Sequence, residues 1–206
     1  MDKRETDPGT EERLDEMMQK GYDLLREDMV TEACDLWLEV WEELKKEFLT
    51  EPKSIEKADN VFCGAQSLYN WCQDLEMELG NAGLDNRTYY EKRIKFIQEF
   101  CSLFSESDRL IMENMKRAEA ESYFALGRVE QGEKLFARLI EEFPKSAWVY
   151  IGWADQYWLF PFSEDFSPNY EKAERIYRLA LEKDTDDREA VLERLKGLSE
   201  RKKAEK

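Results

Sequence analysis

Two stretches of this chain carry similar kinds of side chain in the same order, at an interval of 34 residues that lengthens to 41. Ala120 and Ala154 are 34 residues apart, as are Tyr123 and Tyr157. Gly132, Phe136 and Leu139 return as Ala173, Tyr177 and Ala180 after 41 residues, with the extra seven falling in "FPFSEDFSPN", Phe160 to Asn169. A recurrence of this length marks a helical hairpin built twice to one plan, because one such unit cannot bury its apolar face alone. Small residues let two antiparallel helices approach closely, and the aromatic residues fill the gap to the next hairpin.

Periodicity elsewhere is helical too. In "LWLEVWEELKKEF", Leu36, Trp37, Val40, Trp41, Leu44 and Phe48 follow three- and four-residue spacing and form one apolar stripe. Strand signals are nearly missing, with no Asn-Gly or Asp-Gly turn between alternating apolar runs. Breakers divide the chain into about nine helices. Their expected bounds group into hairpins over 11–49, 55–104, 109–143 and 147–183, with a last helix over 187–203. The third helix is expected to start after Ser54 and continue to about Leu79, carrying Cys63 and Cys72 on opposite sides and placing Ala65 and Leu68 at its contact. "GNAGLDN", Gly80 to Asn86, is expected to be a loop. Ser105 with Asp108, and Asp186 with Glu189, have the spacing of capping boxes.

Composition narrows the function classes. With 42% hydrophobic and 13% aromatic residues the chain has enough to bury for a single folded domain. The net charge of −16 repels phosphate backbones, so no nucleic-acid partner is expected; it reads as a solubilising surface or as an acidic patch for a basic partner. No apolar run approaches the roughly 20 residues that cross a bilayer, and the N-terminus lacks a signal-peptide core, so no membrane partner is expected and the protein is placed in the cytoplasm. The cysteines Cys34, Cys63, Cys72 and Cys101 lack zinc spacing and read as reduced, mostly buried thiols. Histidine is absent, which removes Ser-His and Cys-His nucleophile pairs and histidine metal sites. The acidic run Asp184 to Glu189 lacks the glycine and glutamate of a calcium loop. No catalytic residue, metal site or cofactor is therefore assigned.

Ala120, Tyr123, Leu126, Gly127, Gly132, Phe136, Leu139 and Pro144, followed by Trp153, Ala154, Tyr157, Ala173, Tyr177 and Ala180, resemble the tetratricopeptide repeat in register. Gly21, Leu24, Ala33, Trp37 and Val40 form a more degenerate copy. The resemblance implies an all-α, right-handed superhelix of antiparallel hairpins with a C-terminal capping helix. "DLWLEVWEELK", "NWCQDLEMELGNAG" and "YIGWADQYW" are also similar to the helical region of bacterial proteins that carry a SEC-C motif, although that motif is missing here.

The tetratricopeptide resemblance further implies that partners bind in a concave groove lined by the first helix of each hairpin. At about 100° per residue, Trp148, Ile151, Asp155 and Trp158 share one face, opposite the packing residues Tyr150, Trp153, Ala154 and Tyr157. The same face carried through the other first helices adds Met18 and Tyr22, then Phe62, Gln66 and Tyr69, then Arg117, Glu121 and Phe124. A competing expectation is that the last helix, through Val191, Leu195 and Leu198, covers the Trp148 to Trp158 face. The residues that clamp a peptide carboxylate in some relatives are replaced by Asn114, Arg117, Ala118, Trp148 and Gly152. The expected function is a non-enzymatic scaffold for a protein or peptide, with aromatic anchors in the groove. Alternatives are a cytoplasmic peptide-sensing regulator, a self-associating structural protein forming a homodimer, and an all-helical enzyme.

Overall fold

The computed structural model describes residues 8–160 and 167–205. Among them are ten α-helices and no strand: α1 (Pro8–Arg26), α2 (Val30–Glu47), α3 (Ile55–Val61), α4 (Leu68–Asp85), α5 (Thr88–Leu103), α6 (Arg109–Ala125), α7 (Val129–Glu142), α8 (Ala147–Asp155), α9 (Tyr170–Glu182) and α10 (Arg188–Ala204). The all-α class expected from the periodicity is the class observed. Two expectations, on the extreme N-terminus and on the insertion after Phe160, fall wholly or largely outside the described residues. The chain divides into two compact units, one ending at Met115 and the other beginning at Lys116, with the boundary inside α6.

In the first unit α1 packs on α2, α2 on α4, and α4 on α3 and α5. The apolar stripe of α2 makes these contacts: Trp37, Val40, Trp41 and Leu44 are buried, with Phe48 just beyond the helix and Leu36 half-buried at its edge. Trp37 fits against α1 because position 21 has no side chain. A Cβ on Gly21 would lie 1.9 Å from Trp37 Nε1, which donates to the Met18 carbonyl at 3.0 Å. Trp41 meets Phe96 edge-on at 4.8 Å and Phe104 at 6.4 Å, joining α2 to the α5 aromatic row.

Three sequence expectations are corrected here. The helix expected over 54–79 is two, α3 and α4, separated by residues 62–67. The Asp59 carboxylate accepts from the backbone N–H groups of Leu68 and Tyr69, and Ser67 caps α4 from Asn70 N–H, so the second helix starts anew. Cys63 therefore lies outside any helix and is exposed, like Ala65, while Leu68 and Cys72 are buried. The segment Gly80 to Asp85 is helix rather than loop. Its glycines serve close packing: a Cβ on Gly83 would sit 2.6 Å from the Tyr90 ring, and one on Gly80 would sit 3.0 Å from the Arg93 guanidinium. Neither capping box forms. Asp108 alone caps α6 through Leu110 and Ile111 N–H, while α10 starts at Asp187 in the left-handed region, with no side-chain cap.

In the second unit α7 packs on α8, α8 on α9, and α10 against both α8 and α9. Most positions that recur in the sequence recur in burial: Ala120 and Ala154 are fully enclosed, as are Phe136, Tyr177 and Ala180, and Leu139 is nearly so, whereas Tyr123 is half-buried where Tyr157 is buried. Gly132 lies beneath Phe124, where a Cβ would meet the ring at 2.4 Å. Gly127, at φ 74°, ends α6 in a conformation that costs glycine nothing. Asn169 caps α9 by accepting from Lys172 N–H at 3.0 Å.

Gly21→Val is expected to lower stability by about 1–3 kcal/mol, because the fixed indole of Trp37 leaves the new side chain no room. Gly197→Ala, whose Cβ would meet only Trp158 at an ordinary 3.6 Å, is expected to gain about 0.5–1 kcal/mol of helix stability. Urea unfolding followed by circular dichroism of the two variants checks both signs.

Candidate functional site

The face expected on α8 is built but closed. Ile151 and Asp155 are buried, at 1% and 3% exposure, and Trp158 is half-buried. The cover is α10: Val191 and Leu198 are enclosed, Leu195 is half-buried, Gly197 lies against the Trp158 ring and Arg194 reaches Asp155 at 3.6 Å. The competing expectation, that the last helix takes this face, is the one observed. Asp155 also accepts from the Tyr177 hydroxyl, which in turn accepts from Trp158 Nε1 at 2.9 Å. Burial pushes the Asp155 carboxyl above its usual range, against the opposing effects of the Tyr177 hydrogen bond and the Arg194 and Arg117 charges. Trp148 remains 42% exposed, with its indole N–H donating to Asp187 at 2.9 Å.

Arg117 and Glu121, one turn apart on α6, stand over Gly152 of α8: a Cβ there would meet Arg117 at 2.9 Å and Glu121 at 3.0 Å. Phe124, expected in the groove, is instead fully enclosed between Phe136 and Tyr157 at ring distances of 6.0 and 5.6 Å. It points inward because the absent side chain of Gly132 admits its ring. On the far side of the same unit, Glu133 accepts from Trp153 Nε1 at 2.6 Å, from the Tyr157 hydroxyl and from Lys172 at 2.9 Å. Burial alone would raise this carboxyl; the three hydrogen bonds and the lysine charge outweigh it and hold it below the ordinary value.

The first unit keeps an open face. Tyr22 donates from its hydroxyl to Asp74 at 2.6 Å, Gln66 Nε2 donates to Gln19 at 3.0 Å, and Gln66 N–H donates to Asp15 at 2.8 Å. These bonds join α1 to α4 and to the segment before it in ascending order along both, so the two helices run the same way. Tyr69 is half-buried and donates to Asp108 at 3.0 Å. Met18 and Phe62 are buried and cannot meet a partner, since both sit on the core side of this layer.

Sequence reasoning missed the residues that do line the open face. With α4 starting at Leu68, its back is Leu68, Trp71, Cys72, Leu75, Leu79 and Ala82, all buried. Asn70, Asp74, Met77, Asn81 and Leu84 fall within about 80° of one another on the front. Met77 and Leu84 are 51% and 77% exposed. The signal was the back stripe itself; running the helix through "FCGAQS" shifted the expected front to Phe62, Gln66 and Tyr69.

Charge is divided unevenly. Residues 1–115 hold 28 acidic and 14 basic side chains, whereas residues 116–206 hold 19 and 17. Within the first unit Lys45, Lys46, Lys92, Arg93 and Lys95, all on α2 and α5, are engaged in ion pairs. Helix α4 contains Asp74, Glu76, Glu78 and Asp85 and no Lys or Arg. No described group of three or more His, Cys, Asp or Glu residues could hold a metal ion, and no described helix is long and apolar enough to cross a membrane. Comparison with protein-family models and with curated proteins found no match.

Because the Glu133 carboxyl is held low, the stability it contributes is complete above the unfolded carboxyl value of about 4.3 and is lost as pH falls through its folded value. Glu133→Gln is expected to cost about 1–3 kcal/mol at neutral pH, with three part-buried donors left poorly matched. The gap to the unaltered protein is expected to narrow below about pH 4. Unfolding curves at two pH values measure it.

Proposed function

We propose that the protein is a non-enzymatic scaffold of tetratricopeptide-like hairpins that binds a protein or peptide on the solvent-facing side of its first helices. The observation that carries this reading is the paired burial in the second unit, where residues 34 or 41 positions apart are alike enclosed. Ala120 with Ala154 and Phe136 with Tyr177 are the closest pairs. The packing order supports it further. In each unit hairpin partners pack together, α1 with α2, α4 with α5 and α8 with α9, and a second helix also meets the next first helix, as α2 meets α4 and α7 meets α8.

In this reading the open surface is the α1–α4 face, not the α8 face that α10 covers. Aromatic anchoring passes from the enclosed Phe124 and the covered Trp158 to the more modest apolar groups Met77 and Leu84, with amides and carboxylates around them. Among the described residues of the second unit, Trp148 and Phe160 are large aromatic side chains that meet solvent. The regulator, homodimer and enzyme alternatives gain no specific observation over the scaffold.

The test is affinity capture from a cell extract, followed by reduction of any captured protein to a short binding segment and titration of that segment. Replacing both Met77 and Leu84 by Ser is expected to weaken binding at least about tenfold, since two exposed aliphatic contacts of about 1 kcal/mol or more are lost with no change in charge, while circular dichroism stays unchanged. Undiminished binding by the double variant would remove the α4 face from the reading. A hydrolytic turnover that survives repurification would remove the scaffold.

A further inference from the structure

We infer that the α1–α4 face takes a basic peptide segment, one that sets Lys or Arg beside an aliphatic side chain. This deepens the scaffold reading and rests on it. The face offers two exposed aliphatic groups, Met77 and Leu84, and a row of amides, Gln19, Asn70 and Asn81, that can meet a peptide backbone. Asp74 stands between them, with Asp15 and Asp23 on the neighbouring α1.

Electrostatics decides which class of segment fits. Of the chain's excess of 16 acidic residues, 14 fall within residues 1–115, which hold 28 acidic and 14 basic side chains. The cations of α2 and α5 are held in ion pairs, and α4 has none of its own. Glu76 is matched by Arg93, and Asp23 by Arg26 at the end of α1; among the described residues, Asp74 accepts from the Tyr22 hydroxyl and Asp15 from the Gln66 N–H, both neutral donors. A field of this sign attracts a cationic partner and raises its rate of encounter.

The same field rejects the other occupants. A second copy of the chain brings its own −16 and would set like charge against like across this face. Nucleic acid and anionic lipid are repelled for the same reason. A free metal ion is a poor match, since the carboxylates are spread along two helices and no described cluster of three could hold one.

The experiment screens the full chain against a displayed library of random dodecapeptides at low salt. Enriched sequences are expected to carry net positive charge and a large aliphatic residue. A synthetic representative is expected to bind with an affinity that falls as salt is raised, measured by fluorescence anisotropy. Asn70→Lys with Asn81→Lys adds two positive charges on the face and is expected to weaken that peptide about tenfold or more. Glu39→Lys makes the same change in total charge on the exposed side of α2 and is expected to weaken it about twofold or less. Equal weakening by the two variants would show diffuse attraction and overturn the assigned face. Enrichment of neutral or acidic peptides would overturn the basic class while leaving peptide binding intact. No enrichment over a bare support would overturn both.

Discussion

The fold depends on backbones approaching closely where a side chain is missing and an aromatic ring takes its place. Gly21 admits Trp37, Gly83 admits Tyr90 and Gly132 admits Phe124, in each case to a distance at which a Cβ would collide. A glycine inside a helix costs about 0.5–1 kcal/mol relative to alanine. Burying a large aromatic side chain returns about 1.5–3 kcal/mol, so the exchange favours the packed arrangement. The ring that enters then sets the rotation of its helix. Trp37 fixes α1 against α2, and with α1 fixed, Tyr22 is delivered to Asp74 on α4.

This explains how far the sequence could be read. The α2 stripe, the break at Gly127 and the recurrence from Ala120 to Ala180 are local patterns, and the structure follows them. The glycines of "GNAGLDN" have the local propensity of turn formers, and local propensity is all a sequence displays at such a site. Tertiary contact with Tyr90 and Arg93 made them packing positions in a continuing helix. The break before α4 was illegible for a related reason: Asp59 caps Leu68 and Tyr69 from nine or ten residues away. A one-segment error there moved the whole candidate face, because each residue of misplaced register turns a helix by about 100°.

The α8 face shows a different limit. Its residue types suit either a ligand surface or a helix contact, and the choice is made by a helix more than thirty residues downstream. α10 contributes two enclosed aliphatic residues, Val191 and Leu198, with Arg194 opposite the buried Asp155. Leaving Asp155 charged and buried without these partners would cost several kcal/mol, so the polar groups of this face are committed to the interior. Tyr177 receives Trp158 and donates to Asp155, and little hydrogen-bonding capacity is left over for a partner.

The first unit poses the opposite problem, because its carboxylates outnumber its cations two to one and self-repulsion opposes compactness. Ion pairs on α2 and α5 relieve part of this, at well under 1 kcal/mol each where both groups are exposed. The apolar core, dominated by Trp37, Trp41, Trp71 and the α5 phenylalanines, carries the rest. Solubility alone does not require the excess to gather in one half of the chain, since charge spread evenly serves it as well. The concentration of negative charge around an exposed Met77 and Leu84 is a condition that a cationic, partly aliphatic ligand would relieve on binding. The same residues that weaken the free unit by repulsion would then strengthen its complex.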